Sequence, residues 1–407
     1  MRKTRRRVLG AVGALAGANA LAACGGAAGE SGAGGTASNK SPVTIGATIS
    51  TTGASAAGGK LQKEGYELWA EQTNQRGGLM GRQVQLSMLD DQSDPTTAAK
   101  LYEKLISEDK VELILGPYSN SLTQAASTAT EKLKYPMIAA GASASDIWKR
   151  NYKYVFGVFS VAESFLFGVL DLAVGNNLSR LAIVNEDTVF PNATAAGTVA
   201  YARQKGMQLA YQEKYPQKAT DVTSMLNKVK AAAPQVLVGG SYEPDAILIT
   251  KQMKELDLNV KLLAFSVGAA TPEYVTGAGA LADYVCGPSM WEPELKTPGN
   301  KEFVDVYKKK WSHDPDYRAA TGFAGGQILE AAAKKAGSLD REKVRDALST
   351  LEATTILPGK YKVDETGVQT GHVPAVIQWQ GKDKVIVAPD AMATGKPKLP
   401  MPEWKGR

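Results

Sequence analysis

From Val43 onward, short β-branched runs alternate with longer segments whose apolar residues recur every three or four positions. That alternation predicts an α/β chain with parallel-rich sheets. Val43–Ile49 predicts a first strand, and a Gly-rich loop after it leads into a helix near Gly59. This helix carries Leu61, Leu68 and Trp69 on one face and stops at Gly77-Gly78. Residues 84–89 predict the next strand. Asp94 then caps a helix with Pro95 at its first position, and Leu101, Leu105 and Ile106 form its apolar stripe. A strand over 111–115 ends at Gly116-Pro117, a helix runs through Leu122, Ala125, Ala126 and Ala129, and residues 137–140 predict a fourth strand.

The second half repeats the arrangement. Strands are expected at 154–158, 181–184, 208–211, 235–238 and 261–265, with helices at 163–174, 194–205, 221–232 and 244–256. A strand at 284–286, helices near 302–311 and 325–335, and a hairpin-like pair at 374–379 and 385–388 complete the pattern. About 350 residues are too many for one ordinary core, which predicts two domains. No Pro/Gly/Ser linker divides them, so the lobes should be joined by several chain crossings. The expected organisation is 43–160 plus 286–365 for the first lobe, 161–285 plus 366–392 for the second, and a tail at 393–407.

The N-terminal segment changes the charge argument. Arg2, Lys3, Arg5, Arg6 and Arg7 precede an apolar run too short to span a bilayer, which ends Leu21-Ala22-Ala23-Cys24. Residues 1–23 therefore predict an export signal, with Cys24 as a lipidated N-terminus. Residues 24–42 would be a Gly/Ala/Ser-rich tether. The whole chain is formally +6, and removing five basic residues leaves about +1. With no basic stripe left, nucleic acid is not an expected partner. The Lys308-Lys309-Lys310 run predicts a solvated helix end.

Reactive chemistry is sparse. Beyond Cys24 only Cys286 remains, in an apolar stretch that predicts a small buried side chain, so neither a disulfide nor a cysteine metal site is expected. His313 and His372, both in turn-like contexts, are the only histidines. No Gly-X-Ser-X-Gly elbow occurs, and the Gly-rich loop at 53–59 is not followed by Gly-Lys-Ser/Thr. A hydrolase, a metalloenzyme and a phosphate-cradling nucleotidase are thereby disfavoured; no cofactor is expected.

Binding is better supplied. In open parallel sheets, ligands sit beyond the carboxyl ends of the strands. Four strand-end loops there are rich in small polar residues: 50–59, 116–123, 141–145 and 239–242. The first three lead into helix starts, where free N–H groups and Ser, Thr or Asn side chains suit a carboxylate. Each loop can equally be read as ordinary helix capping; three converging on one sheet edge favour a site.

Several stretches resemble the leucine/isoleucine/valine-binding proteins, the extracytoplasmic receptors of ATP-driven importers for amino acids and amides. They are Thr52-Gly53 with Gly58-Gly59 and Glu64-Gly65, residues 74–81 (Asn-Gln-Arg-Gly-Gly-Leu-Met-Gly), and Asp90-Asp91-Gln92-Ser93-Asp94-Pro95. Gly116-Pro117-Tyr118-Ser119-Asn120-Ser121-Leu122-Thr123 and Gly239-Gly240-Ser241-Tyr242 continue the match, which spans about 43–388. The resemblance implies a type I periplasmic-binding fold, with two Rossmann-like lobes joined by three hinge crossings and closing round a solute. It places carboxylate-binding groups at Asn120 or Ser121, the Gly141 backbone and Ser143, and second-lobe contacts at Phe190 and Tyr242. Ser266 stands where the family's amino-acid binders usually present a glutamate for the ammonium, and Phe190 where a tyrosine is usual. Either Asp187 or Glu243 replaces the missing acid, or the solute is a keto, aromatic or amide compound rather than a free amino acid. The implied partners are a small solute, a membrane ABC permease and, through Cys24, the outer face of the cell membrane; the protein is expected to act as a monomer. The same fold could instead feed a signalling partner.

Overall fold

The structure, a computed structural model, describes residues 41–407, which belong to one compact unit. The export segment, Cys24 and the tether up to residue 40 lie outside the described residues. The described chain starts at a fixed point, because the Arg82 guanidinium donates to the carbonyls of Ser41 and Pro42 and pairs with both Glu112 oxygens at 2.6 Å.

Two sheets organise the molecule. The first has five parallel strands in the order β2-β1-β3-β4-β5: β1 (Val43–Ile49), β2 (Val84–Asp90), β3 (Leu113–Leu115), β4 (Met137–Ala139) and β5 (Val155–Gly157). The second runs β12-β11-β10-β9-β8-β6-β7. Its parallel part comprises β6 (Arg180–Glu186), β7 (Gln208–Tyr215), β8 (Val236–Gly240), β9 (Leu262–Phe265) and β10 (Cys286–Ser289). An antiparallel hairpin, β11 (Ala375–Gln380) and β12 (Asp383–Ala388), extends one edge.

Helices α1 (Ala56–Gln75), α2 (Pro95–Ser107) and α3 (Asn120–Leu133) belong to the first lobe. α4 (Phe167–Gly175), α5 (Val189–Gln204), α6 (Thr223–Ala232), α7 (Glu243–Glu255) and α8 (Pro272–Ala278) belong to the second. α9 (Asn300–Trp311), α10 (Tyr317–Ala336) and α11 (Arg341–Thr350) return to the first. Asp94 caps α2 by accepting from Thr97 N at 2.7 Å, as its Asp-Pro signal predicts. α10 packs on α1 at distances only glycine allows. A Cβ on Gly65 would lie 2.1 Å from the Ala319 carbonyl, and one on Gly326 would lie 2.1 Å from the Trp69 ring.

Several boundaries differ from the sequence reading. α10 begins at Tyr317, not near 325, because its Ala/Gly-rich first turns are buried all round and carry no amphipathic face. α8 and α11 were not anticipated. The helix expected at 163–174 is a 3-10 turn followed by α4. Cys286–Ser289, expected to open the return to the first lobe, is a strand of the second sheet, so that crossing follows Ser289. Residues 366–372, expected in the second lobe, run along the first, where Gly157 N donates to Gly367 O and Gln369 Nε2 to Val158 O. The tail is fastened to the second lobe: Met401 N donates to Lys261 O and Trp404 Nε1 to Leu258 O.

The chain thus crosses between lobes three times: after β5, after β10, and before β11. One side chain touches all three. His372 on the third crossing bonds Ser160 N and Oγ on the first through Nδ1, and Met290 O on the second through Nε2 at 2.9 Å. The imidazole is therefore neutral, with Nε2–H donating and Nδ1 accepting. Burial pushes its pKa down to about 4 despite the bond to Met290.

Candidate functional site

In both sheets the strand order reverses beside the first strand of the lobe, between β1 and β3 and between β6 and β8. Loops diverge at such points and leave a crevice beyond the strand ends. The cavity between the lobes lies there. The first lobe contributes Tyr118, Ser119 and Asn120 after β3, and Ala140, Gly141 and Ser143 after β4. Phe159 and Phe165 come from the first crossing, Phe190 from α5, Tyr242 after β8 and Val267 after β9. Tyr317 and Thr321 on α10 close the remaining side.

The wall is mainly aromatic. Phe165 meets Phe190 edge-on at 5.6 Å between ring centroids, and Phe190 meets Tyr242 at 5.5 Å. Tyr118 lies against the start of α1, where a Cβ on Gly58 would come within 2.3 Å of its ring. Gly141 must also be glycine: a Cβ there would sit 2.4 Å from Gln62 Oε1 and 2.7 Å from Tyr118 Cα. Burial raises the pKa of the Tyr118, Tyr242 and Tyr317 hydroxyls, so all three are neutral donors. The cavity measures about 40 Å³.

Of the candidate residues, Asn120, Gly141, Ser143, Phe190 and Tyr242 come together around this cavity. Ser121 does not: it is exposed, with its hydroxyl 3.4 Å from Ser119 Oγ. Ser266 does not either. Its hydroxyl donates to Ser241 O and accepts from Ser241 N, which ties β9 to β8. Asn120 lines the cavity but also braces it, since Oδ1 accepts from Ser143 N and Ala144 N at 2.7 Å each. Those two N–H groups are thereby used within the protein, by a bond between loops and not by a helix cap, since neither the helix that Asn120 opens nor the turn after Ala144 has a side-chain cap.

The Gly-rich loop at 50–59 is also absent from the wall. The Asp90-Asp91 pair holds it to the end of β2: Asp91 accepts from Thr48 Oγ1 and Ser50 Oγ, and Asp90 from Thr51 N and Thr52 Oγ1. Against the upward push of its partial burial, bonds from Gln92, Thr52 and Thr51 hold the Asp90 carboxyl at about 2. That motif is structural.

Phe159, Phe165, Val267, Tyr317 and Thr321 were missed. The first two lie in a crossing with no regular periodicity, where the only signal was aromatic density from Phe156 to Phe167. Tyr317 was signalled by Asp316, which caps α10 through Arg318 N at 2.8 Å.

Residues 42–384 match the profile of a family described as periplasmic binding protein. The chain belongs to that family. This periplasmic binding protein is 26% identical over 397 residues to Leu/Ile/Val-binding protein homolog 7 of Brucella abortus, covering 90% of this chain and 96% of the relative. Its fold is similar to that of a leucine binding protein of Thermotoga maritima (TM-score 0.75, 21% identity, 85% and 98% coverage). It also resembles the branched-chain amino acid transporter substrate binding protein LivJ of Streptococcus pneumoniae, solved in complex with isoleucine (TM-score 0.74, 22% identity, 84% and 97% coverage). The two-lobed parallel-rich architecture expected from the sequence is therefore the one this periplasmic binding protein adopts, and proteins of this family act outside the cytoplasm.

None of the acids considered for a solute ammonium lines the cavity. Asp187 bonds Asn192 and Lys214 at the surface. Glu243 lies 3.7 Å from Arg318. The buried acids of this lobe, Glu186 and Asp245, face each other instead: burial and the Glu186 carboxylate push Asp245 up to about 7. Lys308 and Lys310 pair with Asp314 and Glu71 at the end of α9, consistent with a solvated helix end.

Proposed function

We propose that this chain is a solute receptor that carries a small carboxylate or amide compound with an aromatic or branched apolar body to a membrane ABC permease. The observation that supports it is the composition of the cavity wall, which has six aromatic rings and no charged side chain among thirteen lining residues. A buried ammonium without a carboxylate partner would be costly, whereas hydroxyl donors and rings suit a carboxylate or amide on an apolar body. A second reading, a free branched-chain amino acid, is favoured by the names of the relatives.

The two separate in a calorimetric panel of 4-methyl-2-oxopentanoate, phenylacetate, benzoate, phenylacetamide and leucine. The keto, aromatic or amide compounds are expected to bind at least about tenfold more tightly than leucine, a difference of about 1.4 kcal/mol. Nanomolar leucine binding would sink the preferred solute class. Solutes should also be recovered unchanged after incubation, and chemical turnover would remove the receptor reading altogether.

The receptor would be held at the membrane through Cys24, the reading supported by the small residues Ala22 and Ala23 before it. Mass spectrometry of the exported protein should find a lipidated N-terminus at Cys24. An unmodified N-terminus at another residue would refute the anchor.

A further inference from the structure

The lobes also meet outside the cavity, and there the contact is ionic. Arg318 stands in the first turn of α10, on the first lobe. Its Nε donates to Asp316 Oδ2 at 2.7 Å, its Nη2 bonds the same oxygen, and Asp316 Oδ1 accepts the Arg318 N–H at 2.8 Å. The guanidinium is thus aimed by its own lobe. Two further carboxylates approach it from the other lobe: Glu243, which opens α7, at 3.7 Å, and Glu273, in the first turn of α8, at 3.5 Å. With all four groups in place, the Arg318 side chain is only 3% exposed.

The two glutamates have no other cation within ion-pair distance among the described residues. If the cleft opens, two like charges on neighbouring helices are left facing solvent while Arg318 keeps Asp316. If it closes, a preset cation comes between them. Distances of 3.5 and 3.7 Å are too long for strong hydrogen bonds, so the attraction across the cleft is mainly Coulombic and open to screening.

We propose that Arg318, Glu243 and Glu273 form an inter-lobe latch, which favours the closed cleft before solute binds and makes solute affinity depend on charges outside the cavity. The proposal rests on the reading that the lobes close round a solute, but the latch itself can be measured without one. A larger closed population lowers the conformational part of the binding cost, so the latch acts on affinity without touching the solute.

The test uses residues 40–407, the compact unit, carrying Lys100→Cys on α2 and Lys251→Cys on α7 for a fluorescent donor and acceptor. Cys286 is buried and its thiol is pushed up to about 12, so the dyes should go to the two introduced sites. Without solute, Glu243→Gln with Glu273→Gln should lower the closed-to-open ratio at least about fivefold, and Glu273→Gln alone about twofold. The single variant changes a half-exposed side chain and guards against misfolding of the double variant. Raising NaCl from about 0.05 M to about 0.5 M should lower the ratio in the parent and hardly move it in the double variant. Equal ratios in parent and variants, or a parent that is salt-insensitive or wholly open, would overturn the latch. Failure of every solute in the panel would remove the proposed solute class and leave this result standing.

Discussion

Replacing Phe190 and Tyr242 together by alanine is expected to weaken binding of the tightest solute in the panel at least about a hundredfold, or about 2.7 kcal/mol. The two rings form the second-lobe wall of the cavity with Val267 and support one another at 5.5 Å, with Phe165 edge-on to Phe190. Each aromatic side chain can withhold about 150–250 Å² from water, and aromatic anchors in desolvated pockets are where truncation costs most. The effect should fall mainly on dissociation, since the rings act once the lobes have closed.

Phe190 is also part of the core, 4% exposed, so its truncation will lower stability as well. Two milder variants separate the contributions. Tyr242→Phe keeps the ring and removes only a neutral hydroxyl, and should cost less than about tenfold if that hydroxyl makes one ordinary hydrogen bond to solute. Phe190→Leu keeps an apolar wall and should retain the fold while losing the ring contact. A double alanine variant that melts cooperatively and binds as tightly as the parent, by calorimetry, would take this face of the cleft out of the site.

The fold was readable because its signals are local. Strand runs such as Val43–Ile49, the Asp94-Pro95 helix start and the Gly77-Gly78 stop each depend on a few adjacent residues, and the structure keeps them. Lobe assignments were harder, because β10 and residues 366–372 are placed by pairing with partners far away in sequence. The same distinction explains the site. Small polar residues at strand ends drew attention to Asn120, Gly141 and Ser143, all of which reach the cavity. They drew equal attention to Ser121 and the 50–59 loop, which do not, because a hydroxyl that bonds within the protein looks the same in sequence as one that meets a ligand. Ser266, named from the family resemblance alone, is also spent on backbone. Phe159 and Phe165 escaped because aromatic residues in an irregular crossing carry no period to show which way they face.

His372 shows most sharply what sequence alone could not convey, and it gives the second large expected effect. In sequence it is a histidine in a turn. In the structure it is buried between all three crossings, with both ring nitrogens bonded and its pKa depressed from 6.5 to about 4. Between those values the unfolded chain binds a proton that the folded protein does not, so this group contributes stability that rises with pH. The contribution is complete above about 6.5 and is lost as pH falls towards 4, a change of about 3 kcal/mol. Asp245 opposes it in much the same window. Its folded pKa is raised to about 7, so the folded protein binds the extra proton and its contribution falls as pH rises. The total pH profile is therefore flatter than either group alone would give, and only a difference isolates the histidine. His372→Gln can still donate to Met290 O but does not titrate. In urea unfolding, the stability of the parent relative to this variant should drop by about 3 kcal/mol from pH 7 to pH 4. Parallel profiles would show that His372 does not titrate with folding. A parent that loses this margin would show that a neutral imidazole joins the three crossings in the folded protein and that protonating it costs stability.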